Sequence, residues 1–169
     1  MKKIVIISAT SGQNFKLSKD INSILKELGS SVKIINLEDY DIPLFIADTY
    51  DSMKLDVGKR IQNIVAALLE TDGIIICAPE YNGNIPPIVN NMIAWISVST
   101  SYWRDGFINK ISLVASNSGG AANKYNISMK NQLEHLGSVV YPRFICINDK
   151  NQLNIESSKK ILKDFIKLL

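Results

Sequence analysis

The chain contains one histidine and two cysteines in 169 residues, and no C-x-x-C pair. Because structural zinc and iron–sulfur sites draw their ligands from such clusters, this composition argues against a metal centre. Cys77 and Cys146 each lie inside an apolar run, which predicts small buried core residues in a reducing compartment instead of a disulfide. We therefore expect a cytoplasmic protein without a metal site.

The chain also lacks a dense run of lysine and arginine, and its formal net charge is +3. Neither nucleic acid nor a membrane surface is therefore expected as a partner. The first eight residues, MKKIVIIS, hold four apolar residues before Ser8, fewer than a signal peptide or a membrane span needs. No triad of catalytic side chains is evident, and His135 is expected on the surface of a helix.

What the sequence does contain is a regular alternation of short apolar runs and longer segments with helical periodicity. Strands are predicted at 3–8, 32–37, 74–77, 110–115 and 139–147, and helices at 17–28, 53–70, 86–96, 125–136 and 155–168. Five β-α units predict a parallel sheet covered by helices on both faces, a three-layer α/β sandwich. Five strands fit the flavodoxin-like order 2-1-3-4-5 better than the six-stranded dinucleotide fold. We predict a single domain over residues 1–169.

In that order the loops after the first, third and fourth strands meet at one edge of the sheet, where open α/β sheets bind ligands. The first loop, SATSGQN (8–14), offers hydroxyl groups, a glycine and the amino terminus of a helix. This composition suits a phosphate, although a helix cap without a ligand is an equally good interpretation. The loop matches neither Walker A nor G-x-G-x-x-G.

The other two loops suit a flat ligand. APEYNG (78–83) supplies the ring of Tyr81 and the amide of Asn82, and SNSGG (116–120) supplies two adjacent glycines that let a planar group approach the backbone. Each loop taken alone is also a plausible simple turn. A phosphate site and a neighbouring site for a flat polar ring would together suit a mononucleotide such as FMN.

The segment PEYNGNIPPIVNNMIAWIS (79–97) resembles the PEYNGS-x-P…KNAIDWLS signature of the NADPH-dependent FMN reductases. Three further segments, DIPLF, FINKISLVASNSGG and LEHLGSVVYP, are similar to segments that occur in the same order in that family. The resemblance implies an oxidoreductase that passes hydride from NAD(P)H through bound FMN to a small acceptor such as a flavin, a quinone, an azo compound or a metal oxyanion. It also implies a homodimer or a homotetramer.

Two groups of cofactor-binding residues follow from the loops and the resemblance. The phosphate group is predicted to contact Ser8, Thr10, Ser11, Gly12, Gln13 and Asn14. The isoalloxazine ring is predicted to contact Pro79, Glu80, Tyr81, Asn82, Gly83, Ser116, Gly119 and Gly120. The flavin carries the chemistry, so no catalytic side chain is assigned.

One departure from the family pattern concerns the first loop. The family often has GSxRxxSxN there, whereas this loop is two residues shorter and has no arginine. The phosphate charge would then rest on backbone donors and the helix dipole, which predicts weaker FMN binding. Two alternatives therefore remain open: an FMN-binding electron carrier without nicotinamide activity, and a non-catalytic relative that has lost flavin.

Three further residues carry expectations of their own. We expect the Glu80 side chain to act structurally, in a subunit contact. Tyr102 and Trp103 form either a partial lid over the flavin ring or part of an interface.

Overall fold

The computed structural model describes residues 1–169. Six strands, five α-helices and one short 3-10 helix follow one another along the chain: β1 (Lys3–Ser8), α1 (Gln13–Glu27), β2 (Ser31–Asn36), the 3-10 helix (Leu37–Asp39), α2 (Tyr50–Glu70), β3 (Gly73–Cys77), α3 (Pro87–Ser99), β4 (Ile111–Asn117), α4 (Asn123–His135), β5 (Val139–Val140), β6 (Ile145–Ile147) and α5 (Ile155–Leu168).

All strands of the sheet are parallel, in the order β2-β1-β3-β4-β5, with β6 also paired to β4. The predicted flavodoxin-like fold and strand order are therefore confirmed. The central strands β1, β3 and β4 end side by side, because Ser8 is in register with Cys77 and Cys77 with Ala115. The loops that follow these three strands consequently begin at the same edge.

The core consists of one cluster of buried side chains on each face of the sheet. Along β1, Val5 and Ile7 belong to one cluster, whereas Ile4 and Ile6 belong to the other. Because successive side chains of a strand point to opposite faces, an unbroken apolar run suits a strand covered on both sides. Helices α2, α3 and α4 cover the first face, and α1 and α5 cover the second.

Helix α3 fixes the long connection between β2 and α2. It begins at Pro87, where a missing N–H group costs nothing. The indole Nε1 of the fully buried Trp95 donates a hydrogen bond to the Pro43 carbonyl at 2.8 Å. The side-chain oxygen of Asn91 accepts one from the Phe45 N–H at 2.8 Å. The connection was predicted as a loop, and it is one apart from the 3-10 helix at its start.

The prediction of one continuous strand over 139–147 is wrong. Val139 pairs with Ile111, but Ile145 pairs with Ala115, so residues 141–144 bulge opposite the shorter segment 113–114. Pro142 lies in this bulge and has no N–H group to donate to a sheet ladder. The fifth position of the sheet is therefore shared by two short strands.

Two further differences bear on the interpretation of single residues. Strand β4 runs two residues beyond its predicted end, so Ser116 and Asn117 belong to the strand and not to the loop. Cys77 is buried as predicted, whereas Cys146 is only partly buried, and both are free thiols. None of the helices combines the length and the apolar character that crossing a membrane requires.

Candidate functional site

The loops after β1, β3 and β4 enclose a single cavity of about 440 Å³ at the carboxyl edge of the sheet. This volume lies within the roughly 300–1,000 Å³ typical of small-molecule and cofactor sites. The cavity is lined by Thr10, Gly12, Gln13, Asn14, Glu38, Pro79, Glu80, Tyr81, Asn117, Ser118, Gly119 and Asp149. A second cavity of about 330 Å³ lies away from these loops, beside β1, β2 and α2.

The amino terminus of α1 opens into the cavity without a cap. Gly12 occupies the N-cap position, no side chain caps the helix, and the first turn contains no acidic residue. Such a terminus presents free N–H groups and a partial positive charge, which favour an anion. A Cβ atom added at Gly12 would meet no atom within 4 Å, so the backbone faces open space.

The first loop is tied to the last residue of β4 through Asn14. The Asn14 Oδ1 accepts a hydrogen bond from the Asn117 N–H, and its Nδ2 donates one to the Asn117 carbonyl, both at 2.8 Å. Asn14 is 2% exposed, and its amide is fully engaged by this pairing. It therefore positions two of the loops relative to each other.

Ser11 is held by the last residue of β2 and by the 3-10 helix that follows it. Its backbone N–H donates to the Glu38 carboxylate at 2.6 Å, and its Oγ accepts a hydrogen bond from Asn36 Nδ2 at 2.9 Å. Hydrogen bonds from the side chain and the backbone of Ser11 hold the pKa of Glu38 below its ordinary value. A carboxylate thus already occupies one donor of the first loop.

The second loop contains a tight turn. Tyr81 and Asn84 exchange two backbone hydrogen bonds, at 3.0 and 3.1 Å, around Asn82 and Gly83. Both central residues have positive φ, 51° and 71°, as the Asn-Gly pair of a type I′ turn does. The interpretation of this segment as a turn is therefore correct, and the turn projects the exposed Tyr81 beside the cavity.

Glu80 links the second loop to α4. Its carboxylate accepts a hydrogen bond from the Tyr125 N–H at 3.0 Å, in the first turn of that helix, where a negative charge is favourable. Its own backbone N–H donates to the Ser118 Oγ of the third loop. Glu80 thus acts as a helix cap within the chain, and the subunit contact expected for its side chain stays a prediction.

The third loop leaves space above its backbone. A Cβ atom added at Gly119 or Gly120 would meet no atom within 4 Å. A planar ligand can therefore approach the main chain at both residues.

The residues predicted to bind FMN separate into two sets. Those that line the cavity are Thr10, Gly12, Gln13, Asn14, Pro79, Glu80, Tyr81 and Gly119. The others, which are not among its lining residues, are Ser8, Ser11, Asn82, Gly83, Ser116 and Gly120. Ser8 and Ser116 are fully buried at strand ends, and the Ser8 hydroxyl donates to the Thr10 carbonyl at 2.9 Å.

Sequence reasoning missed four lining residues: Glu38, Asn117, Ser118 and Asp149. Asn117 and Ser118 stand inside the SNSGG segment, from which the sequence analysis predicts contacts for Ser116, Gly119 and Gly120. Glu38 and Asp149 follow the second and the last strand, and nothing in their local sequence marks them. The charged residues of the lining are Glu38, Glu80 and Asp149, all acidic.

Tyr102 and Trp103 do not line the cavity. The Trp103 ring packs against the Arg104 guanidinium at 4.3 Å and the His135 ring at 5.5 Å. His135 ends α4, whereas Tyr125, which contacts Glu80, lies in its first turn. A helix rises about 1.5 Å per residue, so Tyr125 and His135 are roughly 15 Å apart along α4, with the Glu80 contact near one end and the aromatic cluster at the other. The role of Tyr102 and Trp103 as a lid or an interface stays a prediction.

A flavodoxin-like sheet with a cavity at its switch-point loops defines a class of α/β proteins that bind their ligands at this edge. Within that class, residues 1–152 match the model of the NADPH-dependent FMN reductase family. The chain belongs to this family, whose members are oxidoreductases that use FMN as cofactor and NAD(P)H as co-substrate. The resemblance inferred from the PEYNG segment is therefore confirmed.

Solved structures share the fold at low sequence identity. FerB, a flavoenzyme NAD(P)H:(acceptor) oxidoreductase from Paracoccus denitrificans, is 20% identical with a TM-score of 0.74, over 99% of this chain and 94% of that one. An FMN-dependent NADH-azoreductase from Bacillus anthracis in complex with FMN is 19% identical with a TM-score of 0.68, over 99% of each chain. A flavodoxin from the domain Archaea is 16% identical with a TM-score of 0.66, over 99% of this chain and 98% of that one.

A curated relative is the uncharacterized protein MG342 homolog of Mycoplasma pneumoniae, which is 25% identical over 112 residues. The match covers 65% of this chain and 63% of that protein, so the chain spans less than two thirds of its length.

Proposed function

We propose that this protein is an FMN-dependent NAD(P)H oxidoreductase that acts on a small acceptor. The observation that carries the proposal is the convergence of three loops on one cavity, with an uncapped helix terminus at Gly12 and open backbone at Gly119. When bound, FMN accepts hydride from NAD(P)H and passes the electrons to the acceptor.

The lining fits a flavin in most respects. The amino terminus of α1 supplies donors for the phosphate, and the backbone at Gly119 and Gly120 leaves room for the ring. The half-exposed Tyr81 offers an aromatic face beside that space. The charge of the lining does not suit a phosphate, because no lysine or arginine lines the cavity.

In this proposal the side chains of the site bind and orient the flavin, and none of them needs to act as an acid or a base. Asn14 and Glu80 are both engaged in hydrogen bonds that hold the loops together. We infer that they keep the three loops at fixed separation, so that the groups that bind the flavin ring and the phosphate are in position before FMN binds. The proposed flavin contacts are those predicted from the sequence, extended by Asn117 and Ser118.

The assembly and location that we propose are a cytoplasmic homodimer or homotetramer in which residues 1–169 form one flavin-binding unit. Leu44, Ile46, Tyr102 and Trp103 are exposed apolar side chains that a subunit interface would cover. Light scattering coupled to gel filtration gives the mass directly, and a monomer of about 18.8 kDa would contradict this part of the proposal.

An electron carrier is the second candidate, since the archaeal flavodoxin shares the fold. The net charge of +3 weighs against it, because carriers of this fold dock on basic partners through acidic surfaces. The acidic lining of the cavity favours a third candidate, a relative that has lost flavin.

One experiment separates the three candidates. The protein is purified with FMN, desalted and mixed anaerobically with NADPH or NADH while the flavin absorbance is followed. Bleaching, followed by return of the colour when a quinone is added, supports the reductase. Retained colour without bleaching supports the carrier, and no binding of FMN at micromolar concentration supports the third candidate.

A further inference from the structure

We propose that Glu38 is a charge-selecting residue at the phosphate end of the flavin site. Its carboxylate competes with the FMN phosphate for the first loop, and this lowers the affinity for FMN relative to the affinity for riboflavin. Riboflavin has the same ring and ribityl chain but no phosphate. This inference rests on the proposed flavin site and concerns which form of the flavin that site prefers.

The contact between Glu38 and the first loop is short and direct. The Glu38 Oε2 lies 2.6 Å from the backbone nitrogen of Ser11, the residue that immediately precedes the N-cap of α1. Hydrogen bonds between a backbone N–H and a carboxylate are charge-assisted and among the stronger ones in proteins. Glu38 thus binds next to the helix terminus that favours an anion, at the N–H group that precedes the N-cap.

Neighbouring residues hold this arrangement in place. Asn36 is 5% exposed, and its Nδ2 donates to the Ser11 Oγ at 2.9 Å and to the Asp39 carboxylate at 2.8 Å. Asn36 ends β2 and is in register with Ser8, which ends β1. The sheet therefore sets the separation between the first loop and the turn that carries Glu38.

The exposed Glu38 carboxylate is an anion at the edge of an acidic cavity. Its hydrogen bonds with Ser11 lower the pKa of Glu38, so it is ionised at neutral pH. A phosphate monoester carries a charge of about −1.5 to −2 at pH 7 and seeks the same donors. No lysine or arginine lines the cavity to offset the repulsion. A phosphate at the α1 terminus would therefore lie beside the Glu38 carboxylate and compete with it for the Ser11 N–H group.

The test measures binding and not turnover. The dissociation constants of FMN and of riboflavin are determined by quenching of flavin fluorescence for the unmodified protein, Glu38→Gln and Glu38→Ala. Glu38→Gln keeps an oxygen that can accept from Ser11 and removes the charge, whereas Glu38→Ala also frees the N–H group. We expect FMN to bind about tenfold more tightly to Glu38→Gln, and at least as tightly to Glu38→Ala. Riboflavin affinity is expected to change by less than about twofold in both variants.

Asp39→Asn is the matched control. It removes the same charge from the adjacent residue of the same 3-10 helix, but Asp39 accepts from Asn36 and does not line the cavity. A change in the ratio of the two dissociation constants that is confined to the Glu38 variants supports the proposal. An unchanged ratio, or an equal change in Asp39→Asn, overturns it while leaving the flavin site intact. If neither FMN nor riboflavin binds to any of the proteins, the proposed flavin site is wrong, and so is the role proposed for Glu38.

Discussion

The side-chain amide of Asn14 is paired with the backbone of Asn117 through two hydrogen bonds of 2.8 Å. The two residues belong to α1 and β4, and they are separated by 103 positions in the sequence. This pairing joins the loop proposed for the phosphate to the loop proposed for the ring. One buried amide therefore links the two halves of the site directly.

Replacing Asn14 by alanine is expected to destabilise the fold and to loosen the site. The change leaves the N–H and carbonyl groups of Asn117 without their partner, which costs about 1–3 kcal/mol. Urea denaturation measures this loss, and flavin quenching shows whether FMN affinity falls with it. Asn22→Ala is the control on the same helix, because the Asn22 Oδ1 has no partner to lose. Equal losses of stability in the two variants would contradict the role of the pairing.

Replacing Gly119 by valine is expected to block the proposed ring site without harming the fold. No atom lies within 4 Å of the position of an added Cβ, so we expect the free energy of unfolding to change by less than about 0.5 kcal/mol. The side chain would occupy the space next to the backbone that a flat ring needs, and FMN affinity should fall by at least about tenfold.

Gly58→Ala serves as the control for the Gly119 variant. This residue lies in α2, where an added Cβ meets only the Ser99 Oγ at 4.0 Å. We expect a gain of about 0.5–1 kcal/mol from helix propensity and no change in FMN affinity. If Gly119→Val bound FMN with unchanged affinity, the flavin ring could not lie against the backbone at Gly119.

The sequence predicts the fold well because the apolar runs of β1 and β3 allow one interpretation, strands buried on both faces. The broken strand at 139–147 was not foreseen, since Val139 and Ile145 are both apolar and only their registers on β4 differ. The loops of the site were located from their place after strands. The contacts of Glu38 with Ser11 and of Glu80 with Tyr125 were not, because each joins residues distant in sequence that the packed sheet brings together.

Removing the carboxylate of Glu80 is expected to destabilise α4. Glu80→Ala leaves the Tyr125 N–H without its acceptor and removes a favourable charge at the helix terminus, for a loss of about 1 kcal/mol. Glu80→Gln retains an acceptor and should lose less. Glu134→Gln is the control, because Glu134 lies in the last turn of the same helix and pairs with Lys130. Thermal unfolding, followed by circular dichroism, measures the stability of each variant. If Glu80→Ala were as stable as Glu134→Gln, the role of Glu80 as a helix cap would be wrong.

The buried thiol of Cys77 is expected to make stability fall at alkaline pH. Burial is the main cause that raises its pKa to about 12, whereas an exposed thiol ionises near pH 8.5. Between these values the unfolded chain loses the proton and the folded chain keeps it, so the folded state binds more protons. The stabilisation is complete below about pH 8.5 and declines above it, by about 1.4 kcal/mol per pH unit.

Comparison with Cys77→Ala tests this contribution, because the burial that lowers the pKa of Lys110 is the same in both proteins. Burial is also the main cause that raises the pKa of Tyr125 in both proteins, and the Cys77 thiolate adds to it only in the unmodified one. We expect the alanine variant to be less stable at pH 7, and the difference from the unmodified protein to shrink steadily between pH 9 and 11, as measured by urea denaturation at each pH. Ile76→Val, a buried change in the same strand without an ionisable group, should cost about 1 kcal/mol at every pH. Parallel stability curves for Cys77→Ala and the unmodified protein would show that the folded state does not retain the thiol proton.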